Sequence, residues 1–207
     1  MHKGFFITFE GIEGSGKSTQ IKLAYEKLVK DGYKVLLTKE PGGTRASEKI
    51  RELLLDTNMK GLLPRSELLL LLASRAQHVE EVILKELKLN TIILCDRFAD
   101  SSFAYQGYGR GLSLYDIESL NAFASLNLTP DLTILFDIDP DKTFDRIAFK
   151  KHDRFEIEAQ EFHKKVRQGY LELAKQHPHR IHVVNGVNDR EVLHKTIIDV
   201  IVKKIAS

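Results

Sequence analysis

The sequence predicts an α/β protein, a three-layer α/β/α fold around a five-stranded parallel sheet. Short apolar or β-branched runs recur at residues 5–9, 34–38, 91–95, 132–136 and 181–184, and longer stretches with helical spacing separate them. The runs are apolar on both faces, which suits strands covered by helices on each side. Polar residues stand directly after each run, and parallel sheets hold ligands beyond the carboxyl ends of their strands.

The first run leads into Gly11-Ile12-Glu13-Gly14-Ser15-Gly16-Lys17-Ser18, which fits the P-loop pattern G-x-x-x-x-G-K-[ST], and a helical run follows from Thr19 to residue 30. Glycines let backbone N–H groups curl around phosphate oxygens, and the helix N-terminus adds positive potential. Lys17 is placed to reach the outer phosphates, and the Ser18 hydroxyl offers a magnesium ligand. Residues 11–19 are therefore the expected contacts to ATP held with Mg2+.

The second run ends in Lys39-Glu40-Pro41-Gly42-Gly43-Thr44, a strand end and a tight turn. The helical stretch over residues 67–87 carries five successive leucines, 68–72, which point in nearly every direction. That pattern predicts a helix buried by its own domain or a homodimer interface. The same helix bears Ser74-Arg75-Ala76-Gln77-His78. The third run ends at Asp96, on the same sheet edge as the phosphate loop. An acid there can hold Mg2+ or its water, with a solvated acid or a helix cap as the alternative. Arg97-Phe98-Ala99-Asp100-Ser101-Ser102-Phe103-Ala104-Tyr105-Gln106-Gly107 follows it. The fourth run gives Asp137 and Asp139. A polar, basic interruption at residues 148–153 reads as a mobile loop or lid, and the last run ends at Asn185 and Gly186.

Composition narrows the class. At 207 residues one compact unit is expected, and 43% hydrophobic with 29% charged residues is ordinary for a soluble domain. The net charge of +2 comes from 31 basic and 29 acidic residues mixed along the chain, so no basic block tracks a nucleic acid and no nucleic-acid partner is expected. Cys95 is the only cysteine and lies in an apolar run, which excludes an internal disulfide and reads as a buried strand thiol. The first residues enter strand pattern at once, leaving no room for a signal segment, so a cytoplasmic protein without a membrane partner is expected.

Triphosphate binding serves switches, motors and group transfer alike. The string N-K-x-D, which reads guanine in GTPases, is absent, and one domain leaves little room for a mechanical ATPase. A small kinase is the simpler reading. It needs an acceptor pocket, cations for an acceptor phosphate, and a cover that excludes water.

The strings E-P-G-G, S-R-A-Q-H and D-R-F-x-x-S-S-x-A-Y-Q-G, with Gly109-Arg110-Gly111-Leu112 and Pro130-Asp131-Leu132-Thr133, closely resemble the thymidylate kinase family, from about residue 5 to beyond residue 156. The resemblance implies ATP-dependent phosphorylation of dTMP to dTDP with Mg2+, by one P-loop kinase domain over residues 1–207 with a lid at about 146–156, working as a homodimer. It implies that Arg97 clamps the dTMP phosphate, for which a guanidinium fork is suited. Arg75 matches the family's base-reading arginine, with Ser102 and Gln106 at its polar base contacts and Tyr105 at the aromatic position against the sugar. Glu13 corresponds to the acid that accepts from the acceptor's 3′-hydroxyl or organises magnesium water. Glu40, Pro41, Leu71 and Ser101 complete the expected acceptor contacts. The adenine contacts are expected from backbone near residues 185–187.

Two departures follow. No arginine stands inside the phosphate loop, so the catalytic cation is expected from the lid: Arg154 first, with Arg146, Lys150 and Lys151 beside it. Leu71 stands where the family commonly stacks a phenylalanine on the base, which leaves a kinase for another nucleoside monophosphate, such as dUMP, as an alternative. An ATP-binding regulatory module is the alternative from a different class.

Overall fold

The structure is a computed structural model that describes residues 4–59, 61–143, 154–155 and 158–206. Five strands form one sheet: β1 (Phe5–Gly11), β2 (Val35–Lys39), β3 (Ile92–Asp96), β4 (Leu132–Asp137) and β5 (Ile181–Asn185). Their order is β2-β3-β1-β4-β5 with every pairing parallel, as predicted. The connection from β1 runs to one side of the sheet and that from β3 to the other, which opens a crevice at the carboxyl ends of these neighbours.

The helices are α1 (Lys17–Lys30), α2 (Arg45–Leu55), α3 (Pro64–His78), α4 (Leu84–Lys88), α5 (Ala99–Ser102), α6 (Leu114–Ser125), α7 (Gln160–Gln176) and α8 (Arg190–Ile205). Local chemistry starts several of them. Thr44 caps α2 by accepting the Ser47 N–H at 3.1 Å, Pro64 opens α3, and Asp189 caps α8 by accepting from Glu191 at 2.8 Å. The alternation of strand side chains assigns the layers. Ile7 and Phe9 face one core with α1 and α8, while Phe6, Ile93 and Cys95 face the opposite one. There α7 closes the layer through Phe162, Val166 and Tyr170.

The stretch expected as one helix over residues 67–87 is α3, a π-helical turn at Val79–Ile83, and α4. A second π-helical turn, Phe103–Gly109, extends α5. The leucine run divides: Leu68 and Leu72 are buried, whereas Leu69 is 57% exposed. Among the described residues no helix is long and apolar enough to cross a membrane. Of the expected lid, only Arg154 and Phe155 are described; Arg146, Lys150 and Lys151 lie outside the described residues.

Candidate active site

The phosphate loop takes its shape from its glycines. Gly11 has φ 137°, and a Cβ there would lie 2.6 Å from the Phe136 carbonyl oxygen of the neighbouring strand. Gly16, at φ 94°, turns the chain into α1, so that Lys17 opens the helix. Lys17 is buried, and its Nζ donates to the Gly11 and Ile12 carbonyls at 2.8 Å each. Burial, then the Arg97 charge, push this lysine down to about 8, against the pull of Asp96, Glu13 and Glu10. A phosphate oxyanion would restore its charge. Ser18 and Thr19 are exposed on the first turn of α1. Gly186 packs on the loop: its N–H donates to the Asp137 carbonyl at 2.8 Å, and a Cβ on it would lie 3.2 Å from the Ser15 carbonyl. Residues 185–187 thus border the loop.

Arg97 leaves β3 at φ 74°, a region rarely adopted by residues other than glycine. Its N–H donates to the Phe9 carbonyl at 3.1 Å, and its own carbonyl accepts the Cys95 thiol at 3.1 Å. The guanidinium is held on both forks. Nη2 donates to Glu13 Oε1 at 2.7 Å and to the Tyr105 hydroxyl at 3.0 Å, while Nη1 donates to the hydroxyls of Tyr170 at 3.0 Å and Ser101 at 3.3 Å. Glu10 backs both of those hydroxyls, accepting from Ser101 at 2.6 Å and Tyr170 at 2.7 Å, and also takes the Phe98 N–H at 2.7 Å. Burial raises Glu10 to about 7, with Asp100 adding and Arg97 and the two hydroxyls opposing. Glu13 goes the other way. Burial works to raise it, but Arg97, Lys17 and the Tyr105 hydrogen bond together hold it below the usual carboxylate range. Glu13 therefore occupies the Arg97 fork as a fixed anion.

One cavity joins the predicted acceptor residues Glu40, Pro41, Leu71, Arg75, Ser101, Ser102, Tyr105 and Gln106 to Glu13, Asp96 and Arg97. Arg75 is buried. Its Nε donates to Glu40 Oε2 at 2.8 Å and its Nη1 to the Ser102 hydroxyl at 3.0 Å and to Asn121, while Nη2 has no protein partner among the described residues. Glu40, expected as an acceptor contact, has both oxygens engaged by protein, Oε2 by Arg75 and Oε1 by His78 Nδ1 at 3.1 Å. Its carboxylate holds Arg75 in place. Ser101 is likewise committed, to Glu10 and Arg97.

Arg154, expected as the catalytic cation, is engaged elsewhere. Its Nε donates to the Leu54 carbonyl at 2.9 Å and its Nη2 to Glu67 Oε2 at 2.6 Å, with the guanidinium 4.7 Å from the centre of the Phe155 ring. No contact joins it to the phosphate loop among the described residues.

The metal assignment fits the donors. Ser18 and Asp96 line one groove, and Asp96 Oδ1 is buried without a hydrogen-bond partner among the described residues. Among the described residues no cluster of three His, Cys, Asp or Glu could hold a metal by itself. Mg2+ suits such a sparse set because it takes its remaining ligands from substrate phosphates and water.

Several site residues carry no sequence signal. Tyr170 reads as one more apolar position of an amphipathic helix, and Arg51 as a surface charge on α2, yet Arg51 and Leu55 line the cavity. Asn121 on α6 reaches Arg75 from 46 positions away. No spacing rule links such residues.

The sequence profile of the thymidylate kinase family matches residues 9–197. The chain belongs to the thymidylate kinase family. Similar relatives include the thymidylate kinase of Thermoanaerobacter sp. (strain X514), 47% identical over 97% of this chain and 98% of that protein, and that of Kosmotoga olearia, 50% identical over 93% of each. A thymidylate kinase structure from Ehrlichia chaffeensis superposes with a TM-score of 0.79 at 38% identity, covering 96% of this chain and 98% of that one. As a member of the thymidylate kinase family the chain is a nucleoside monophosphate kinase, and the five-stranded parallel fold is the one this relative shares.

Proposed function

We propose that this chain transfers the γ-phosphoryl group of MgATP to dTMP, giving ADP and dTDP. The observation that carries the reading is one cavity that starts at the phosphate loop, passes the Arg97 fork and ends at Arg75 and Gln106, each with a polar atom that has no partner among the described residues. A phosphate oxygen of dTMP attacks the γ-phosphorus, and the bond to the bridging oxygen of ADP breaks. Little covalent work falls to the protein, so positioning and charge carry the catalysis. Lys17 and the loop N–H groups hold the donor, and Arg97 orients the acceptor phosphate. Glu13 occupies one nitrogen of the Arg97 fork, and an arriving phosphate takes its place there. Ser18 and Asp96 would hold Mg2+, which would supply positive charge to the donor phosphates. Lid residues Arg146 and Lys150, with Arg154 once released from Glu67, supply further positive charge.

The protomer works as one kinase domain with its lid, in the cytoplasm and as a homodimer, without nucleic-acid or membrane partners. The dimer reading is supported by exposed apolar side chains on two helices: Leu69 on α3 is 57% exposed, and Tyr115 and Phe123 on α6 are 76% and 82% exposed. The reaction is tested by ADP release coupled to a panel of acceptors. Turnover is expected to be highest with dTMP, and equal stimulation by AMP, GMP or CMP would reject the reading.

A further inference from the structure

Glu67 stands on the first turn of α3 with no solvent exposure. Its Oε1 accepts from Gln106 Nε2 at 2.8 Å and from Arg110 Nε at 3.3 Å, and its Oε2 accepts from Arg110 Nη2 at 3.2 Å and Arg154 Nη2 at 2.6 Å. A carboxylate between two guanidinium groups accepts hydrogen bonds and has none to give. Gln106 must therefore turn its amide –NH2 toward Glu67. Its carbonyl Oε1 is left to the cavity, which Gln106 lines, and has no partner among the described residues. Ser102, four positions before Gln106, accepts from Arg75, whose Nη2 has no partner among the described residues. The cavity thus offers a donor from Arg75 and an acceptor from Gln106.

We propose that Glu67 is a specificity-determining residue of this kinase: by locking the Gln106 amide it makes the pocket complementary to the C4 carbonyl and N3–H of thymine or uracil, and hostile to cytosine. Cytosine reverses both positions, carrying an amino group at C4 and a lone pair at N3. In this pocket it would set donor against donor and acceptor against acceptor. Two mismatches in a buried site are penalised far more than a missing contact, because neither partner can turn to water. Glu67 acts through Gln106 and is a positioning residue. The 5-methyl group plays no part in this filter. The proposal rests on dTMP as the acceptor.

The test is Glu67→Gln. The two guanidinium groups then claim the one remaining oxygen, and the new –NH2 faces Gln106. Gln106 must flip to accept from it, which inverts the polarity shown to the base. Steady-state kinetics with dTMP, dUMP and dCMP should show the ratio of kcat/KM for dTMP over dCMP falling by roughly 100-fold. The loss for dTMP should lie in KM, dUMP should decline with dTMP, and dCMP should improve. Arg110→Met alone should leave the ratio at its wild-type value. If Glu67→Gln is too unstable to purify, Glu67→Gln combined with Arg110→Met removes one of the two cations and carries the same comparison. A common fall for all three acceptors, or an unchanged ratio, would overturn the role of Glu67. Wild-type protein that shows no dTMP-stimulated turnover would overturn the acceptor assignment itself, and this proposal with it.

Discussion

Lys17 is a buried cation whose partners are the Gly11 and Ile12 carbonyls and, at 3.5 Å, the Ser15 hydroxyl, and its burial has a measurable cost. Its folded-state value of about 8 lies below the ordinary 10.5, with burial the largest cause. Between those two values the unfolded chain keeps a proton that the folded chain has released, so stability rises with pH. The cost is complete below about pH 8 and gone above about 10.5. Urea unfolding of nucleotide-free protein, compared with Lys17→Met, should show the wild type gaining on the order of 3 kcal/mol relative to the variant across that window. A flat difference would mean that the lysine is not desolvated. Residue-level legibility was uneven. Lys17, Asp96 and Arg97 announce themselves because each stands at a strand end or in a fixed motif. Glu67 does not: an acid in the first turn of a helix reads as a favourable dipole partner on the surface, and only the fold shows it enclosed by Gln106, Arg110 and Arg154.

At the scale of elements, strand–loop–helix geometry is what the glycines protect, and they protect it in two ways. At Gly11 both backbone and space forbid a side chain; at Gly16 only the backbone does, since a Cβ there meets nothing within 4 Å. Gly16→Ala should therefore fold with a loss of about 1–2 kcal/mol from left-handed strain alone. Gly11→Ala should in addition displace the loop from Phe136 and abolish ATP binding. Thermal unfolding and calorimetric ATP titration of the two variants separate these outcomes, and equal behaviour of both would contradict the steric account. The five strands were legible from their apolar runs to within a residue at the amino ends, because strands covered on both faces leave few polar positions to blur the pattern. The π-helical turns at Val79–Ile83 and Phe103–Gly109 were not legible. One extra residue in a turn changes the helical phase without any compositional mark.

For the whole molecule, the divided leucine run is informative. Two leucines of α3 fill the protomer's own core, while Leu69 of the same helix, and Tyr115 and Phe123 of α6, are left exposed. The sequence leaves burial and association as alternatives; the structure shows burial for Leu68 and Leu72, and association remains the proposal for the exposed side of α3. Phe123→Glu places a charge at the most exposed of these side chains. Light scattering should give twice the 23.6 kDa chain mass for the wild type and a monomer for the variant. A wild-type monomer would remove the dimer from the proposal and leave the fold and cavity as they are.

Cys95 is fully buried on β3, and its thiol, raised well above its ordinary range chiefly by burial, is tied to the carbonyl of Arg97, the residue proposed to orient the acceptor phosphate. Alkylating reagents meet a thiolate there only when the centre of the sheet opens. The chain therefore carries its own clock. With a single cysteine and no tryptophan, the rate of thiol labelling reports how often the heart of the molecule comes apart, and slowing of that rate by nucleotide would read out ligand binding without any dye or engineered probe.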